Sequence, residues 1–174
     1  MTEPIVSKVT RREPPETGAE RELLESFLDY HRDTLLLKCE GLDAAGLKAR
    51  ATPPSALSLL GLVRHLTDVE RYWFRMGVDG QRPGFLYWGE SEDEPDTDFE
   101  VEDADPAADV AAYRAEVAAA REVAARHGLD ETFTIGRRGP LSVRWVYVHM
   151  IEEYARHNGH ADLLREAVDG TVGD

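Results

Sequence analysis

A chain of 174 residues is long enough for one domain with a real core and short for two. Hydrophobic residues at 42%, charged residues at 31% and a formal net charge of −14 describe an acidic globular protein; binding to a nucleic-acid backbone, which needs clustered Lys and Arg, is excluded as an expectation. The lone Cys39 rules out an internal disulfide and every multi-cysteine zinc pattern.

The opening stretch, MTEPIVSKVTRREPPETG, is polar and proline-broken, so no signal peptide is expected. No segment approaches the roughly 18 uninterrupted apolar residues of a membrane span. A cytoplasmic protein with no membrane partner is the expectation. Residues 1–16 read as a flexible N-terminal arm, because Pro4, Pro14 and Pro15 deny it regular structure. Residues 17–174 read as a single domain.

Thr17 and Glu20 have the spacing of a capping box at the start of a first helix, which runs to about Glu40 and stops at Gly41. Asp43 caps a short helical turn, AAGLKAR, before the breaker ATPPS. A second long helix spans about Ser58 to Met76. Leu62, Leu66, Val69 and Trp73 form its apolar stripe, with His65 beside it and Arg64, Glu70 and Arg71 expected to look outward. From Gly77 to Ala104 glycines interleave with Phe85, Tyr87 and Trp88, and then comes the acidic run ESEDEPDTDFEVEDAD. The aromatics predict a loop folded back on the body. The acidic run lacks the ligand arrangement of a calcium loop and reads as a solvated crossover.

Asp105-Pro106 starts a third helix, about Ala107 to His127, with Val110, Tyr113, Val117, Ala120, Val123 and Ala124 inward. His127, in its last turn, has a structural role favoured by the helix dipole. TFTIGRRGPLS predicts a short hairpin or extended connector; Arg137 and Arg138 could hold an anion there, although a solvated turn also explains them. Ser142 caps a last helix, about Val143 to Val168, closed by Gly170. Its first half, VRWVYVHMI, is apolar nearly all round, so this helix is expected to be the most buried. The fold class is all-α: a four-helix bundle with a long crossover between the second and third long helices. Sites in such bundles are built from side chains facing inward.

The last helix carries His149, Glu153, His157 and His160 on one face. At about 1.5 Å rise per residue, Glu153 and His157 are roughly 6 Å apart along the axis, close enough for one ion. His149 and His157 are roughly 12 Å apart, too far for metal–ligand bonds of about 2 Å each. Met150, Tyr154, Ala161 and Leu164 surround His157, and an ionised Glu153 on so apolar a face costs several kcal/mol without a cation or hydrogen bonds. Adding His65 gives two imidazoles and a carboxylate, the set that open catalytic zinc sites use. The predicted metal ligands are therefore His65, Glu153 and His157. Asp68 is a further ligand candidate or a hydrogen-bond acceptor behind one. His149 and His160 are candidate catalytic residues, as proton shuttles or ligand-binding groups. Cys39 reads as a small buried residue and not as a nucleophile.

RHLTDVERYWF on the second long helix and HMIEEYARHNGHADLLREAVDG on the last resemble the DinB/YfiT-like superfamily. The closer resemblance is to DinB-like domains related to mycothiol-dependent maleylpyruvate isomerase, over about residues 17–170. It implies a four-helix bundle with a divalent metal, zinc or else nickel or another ion, on His65, Glu153 and His157. Many members have histidine where this chain has Glu153; the glutamate matches the isomerase-like variant. It also implies a small-molecule substrate, a low-molecular-weight thiol such as mycothiol as cofactor in S-transferase chemistry, and a homodimer. A metal-dependent hydrolase would use the same ligands. A bundle with a structural metal, or none, would serve as a dimerisation or small-molecule-binding module.

Overall fold

A computed structural model describes residues 4–91 and 93–173; residues 1–3 of the expected arm, Glu92 of the acidic run and Asp174 lie outside the described residues. The chain is mostly helical: α1 (Glu20–Cys39), α2 (Ala44–Lys48), α3 (Leu59–Glu70), α4 (Pro106–Arg126) and α5 (Val143–Asp169). α3 continues directly into π-helical turns over Arg71–Val78. Strands β1 (Thr132–Phe133) and β2 (Leu141–Ser142) pair antiparallel, with Thr132 opposite Ser142 and Phe133 opposite Leu141.

Local chemistry sets most helix ends. The Ser58, Asp105 and Ser142 side chains accept backbone N–H groups from Gly61, Ala107 and Trp145, and Pro106 opens α4. Asp43 likewise accepts from Gly46 at α2. Gly170 closes α5 at φ 77°, a left-handed position that suits glycine. The capping box expected at Thr17 does not form: Ala19 is the N-cap, and the Glu20 carboxylate is taken by Arg144 at 2.6 Å.

Glu20 meets Arg144 and Lys38 meets Asp162, so α1 and α5 run parallel. Arg64 faces Asp109 and Arg75 faces Glu116, so α3 with its π continuation runs parallel to α4. His65 lies against Glu153 and His157 while Trp73 lies against Trp145 and His149, so α3 and α5 are antiparallel. The long connection over 79–105 returns the chain to the end at which α3 began, which is what allows α4 to run beside it in the same direction.

The inward face predicted for α4 is buried throughout, from Val110 to Ala124. The most buried helix, however, is α3 and not α5. Every residue of α3 except His65 is buried, whereas Val148 on α5 is 55% exposed. α3 packs against α1, α2, α4 and α5, so even its polar residues are covered. Glu70 and Arg64 are accordingly inside, not outward. Glu70 accepts two hydrogen bonds from buried Arg32, each 2.7 Å, and one from Tyr154 at 2.8 Å. Tyr154 also shares a 2.9 Å hydrogen bond with Tyr113, so one buried polar network joins α1, α3, α4 and α5. Arg71 pairs with buried Glu116 at 3.0 Å. The segment expected to be a loose arm is coil, but Val6 is fully buried and its carbonyl accepts the Gly41 N–H, which anchors it to the end of α1.

The π turns shift the side-chain register after Glu70, so Trp73 and Phe74 both turn inward, Phe74 toward Tyr147 and Trp73 toward Trp145. Cys39 is buried, and burial pushes its thiol up to about 12, which leaves it un-ionised. His127 caps the end of α4 between Asp79 at 3.1 Å and Glu131 at 2.8 Å. Hydrogen bonds to Glu131 and then to Asp79 raise its pKa. Its contribution is therefore fully present below the ordinary histidine pKa of about 6.5 and is lost as pH rises above it. Replacing His127 with Gln should lower stability by up to about 1 kcal/mol at pH 6 and by less at pH 9, read from urea midpoints at the two pH values.

Candidate metal centre

Three elements build the site. His65 comes from the middle of α3, Glu153 and His157 come from successive turns of α5, and the connection 79–105 lies against His65 through Trp88, Asp98 and Phe99. The ligating atoms of His65, Glu153 and His157 all lie within 4.8 Å of one another. Glu153 Oε1 is 3.3 Å from His65 Nε2 and 3.2 Å from His157 Nε2. The two imidazole rings are 4.7 Å apart, centre to centre. Each of the three side chains keeps a little solvent access, 18% for His65, 20% for Glu153 and 12% for His157.

Both imidazoles are held from behind. His65 Nδ1–H donates to Asp98 at 2.9 Å, which leaves Nε2 turned toward Glu153. Asp98 is itself fixed by the Trp88 indole N–H at 3.0 Å and the Phe99 backbone N–H at 3.1 Å. His157 turns Nε2 to Glu153 and Nδ1 to His160 Nδ1 at 3.4 Å. Metal-bound histidines are held in this way, the second ring nitrogen fixing the tautomer.

The electrostatics follow from the geometry. Burial pushes the His65 imidazolium down, but hydrogen bonds to Asp98 and Glu153 outweigh it and carry its pKa up to about 9. Hydrogen bonds from His157 and His65 hold Glu153 well below the usual carboxylate range. Burial raises and the His65 and Trp88 hydrogen bonds lower Asp98, with a net fall. Burial, then His157 and Arg156, push His160 down.

The donor set fits a divalent metal. Ligand bonds of about 2.0–2.1 Å in a tetrahedron put donor atoms roughly 3.3 Å apart, the spacing that two of the three donor pairs already have. Two imidazoles and one carboxylate also leave a fourth position for water or substrate. Beside His65 opens a cleft of about 520 Å³ whose lining includes Arg50, Trp88, Asp98, Phe99 and Glu100. Phe99 stacks on His65 at 5.7 Å and packs against Gly61, where a Cβ would stand 2.5 Å from its ring.

The structure brings His160 to the site, behind His157, but it places His149 one turn away. There His149 stacks on Trp145 at 4.9 Å and meets the edge of Trp73 at 4.8 Å. Asp68 is not a ligand. It is fully buried, and its carboxylate accepts the backbone N–H groups of Leu86, Tyr87 and Trp88 at 2.7–3.2 Å. Replacing Asp68 with Ala should therefore cost about 3 kcal/mol and release Trp88, read as lost stability and a red-shifted tryptophan emission.

Sequence reasoning missed Asp98, because the acidic run read as solvated crossover. The signal was the pair Phe99 and Val101, the large apolar residues inside that run. Val101 is buried and Phe99 is partly so, and folding them inward carries Asp98 to His65.

No helix among the described residues is long and apolar enough to cross a membrane. A comparison with curated proteins yields no match. The sequence model described as mycothiol-S-transferase matches residues 23–170, a span that holds α1 from its first turn, the whole connection over 79–105, and His65, Glu153 and His157. The chain therefore belongs to the mycothiol-S-transferase family, within the DinB-like superfamily.

Proposed function

We propose that this protein is a metal-dependent S-transferase that joins a low-molecular-weight thiol of the mycothiol type to a small electrophile. In this reading α1, α3 with its π turns, α4 and α5 form a four-helix bundle with a long crossover. His65, Glu153 and His157 hold a divalent ion, zinc by the chemistry of the donors. The observation that carries it is the placement of one carboxylate oxygen within 3.3 Å of two imidazole nitrogens whose far sides are already occupied.

A bound divalent ion would supply Lewis acidity and favour the thiolate over the thiol at its open position. The chain does the rest. Asp98 keeps the proton of His65 on Nδ1, so Nε2 stays available. His160 does the same for His157, acting through it from outside the ligand set. Trp88 and Phe99 restrict water on the α3 side, and the cleft beside them admits the thiol.

The test is conjugation of mycothiol to monochlorobimane by zinc-loaded protein, with glutathione and cysteine as comparison thiols. Turnover with mycothiol, lost on removal of the metal, is the expected result. A rate equal to the uncatalysed reaction with every thiol and every divalent metal tried would end the transferase reading.

A further inference from the structure

We propose a second anchoring point for the co-substrate: an anion subsite at Arg138, one that selects a flat, carboxylate-bearing electrophile. The proposal rests on the transferase reading for the identity of the reacting end, but the subsite itself stands on separate residues.

The guanidinium of Arg138 lies 5.6 Å from the ring centres of both Trp73 and Trp145. Among the described residues no carboxylate pairs with it, in a chain of net charge −14. Most other arginines near the body have an acidic partner, such as Arg75 with Glu116, Arg126 with Asp79 and Arg144 with Glu20. A guanidinium set beside two indole rings, with no acidic partner, keeps its N–H donors free. It is held ready for a bidentate carboxylate. His149 adds an imidazole on the same cluster, with its Nδ1 side toward Glu152 at 3.5 Å.

Placement ties this cluster to the metal centre. His149 precedes Glu153 by one turn on the same face of α5, about 6 Å of axial rise. Aromatic rings connect the two places without a break. His65 contacts Trp88 at 5.5 Å, Trp88 contacts Tyr72 at 6.5 Å, Tyr72 contacts Trp73 at 5.0 Å, and Trp73 contacts Trp145 at 5.1 Å. Such a wall suits a planar or apolar body. One guanidinium matches a singly charged carboxylate; a phosphate dianion is usually met by more cations or a nest of backbone N–H groups.

The probe is unreactive 4-methylbenzoate, with the neutral 4-methylbenzamide beside it, titrated against intrinsic tryptophan fluorescence. Wild-type, Arg138→Gln and Arg137→Gln proteins are compared, each both as purified and stripped of metal, with circular dichroism to check folding. The expected result is saturable binding of the benzoate, weakened about tenfold or more by Arg138→Gln, unchanged by Arg137→Gln, and about tenfold or more weaker for the amide. Equal binding of benzoate and benzamide, no effect of Arg138→Gln, or no saturable binding to the stripped wild type would each overturn the proposal. Because the decisive titration uses metal-free protein, a failed metal reading leaves it standing, and a failed subsite leaves metal content unaltered.

Discussion

Protein purified from cells and measured for metal should hold about one divalent ion per chain, and His157→Ala should bring that to background. Loss of an outer hydrogen-bond partner alone typically costs ten- to a hundredfold in metal affinity, so loss of a ligand should exceed about a hundredfold. Asp98→Asn supplies the graded comparison. It keeps the size of the group but removes the charge that holds His65 Nδ1–H, and should weaken binding by about ten- to a hundredfold. Both are read by competition with a chromogenic chelator. Wild-type protein without metal under every loading condition, or full affinity in His157→Ala, would remove the metal centre.

The same site sets a pH signature. In the metal-free protein the His65 pKa is raised to about 9, so its stabilising contribution is fully present below about pH 6.5 and is lost as pH rises through about 9. Glu153 shifts the opposite way, and its contribution is present above its usual 4.5 and is lost only as the solution becomes strongly acid. A metal needs the imidazoles unprotonated, so its binding releases protons and strengthens with pH. The difference in Tm between metal-loaded and stripped protein should therefore widen from pH 6.5 to 9. A constant difference across that window would contradict the assignment of His65 as a ligand.

Glu70→Ala should be among the most destabilising single changes in the protein. It leaves the Arg32 guanidinium, whose side chain is 5% exposed, without the carboxylate that takes two of its hydrogen bonds. Breaking a buried pair on one side costs about 3–5 kcal/mol, and a domain of this size loses about 2–4 °C in Tm per kcal/mol, so a fall on the order of 10 °C is expected. The Tyr154 hydroxyl loses its acceptor as well, adding to the loss. The double variant Arg32→Met/Glu70→Leu should recover most of that stability, because apolar groups replace both charges instead of stranding one. Equal losses in the single and double variants would mean that the ion pair does not carry the effect. Metal content separates the two roles: Glu70 lies in the core network and not in the His65, Glu153 and His157 cluster, so the double variant should retain metal.

How much of this was legible in the sequence depended on the range of the interaction. The starts of α2, α3, α4 and α5 could be read because Asp43, Ser58, Asp105 and Ser142 cap amides only two or three residues away. The inward face of α4 and the convergence of Glu153 with His157 followed from helical periodicity alone. His65 could be named as their partner by its place beside an apolar stripe, but its 3.3 Å approach to Glu153 was decided by antiparallel packing of α3 on α5. Glu70 and Arg64 were read outward because charge is normally solvated; burial from all sides reversed this, with Arg32 and Asp109 as partners far along the chain. The roles of Asp98, Asp68 and Arg138 were likewise tertiary. Asp98 and Arg138 stand in segments without helical or strand periodicity, and Asp68, although on α3, finds its partners in the connection over 79–105. The sequence by itself determined the long helices, the caps of α2 to α5 and the convergence of Glu153 with His157 on α5, because those are contacts within a turn or two. Only the tertiary structure decided what stands behind each imidazole, which charges are buried, and that His149 meets Trp73, because those depend on which helix faces which.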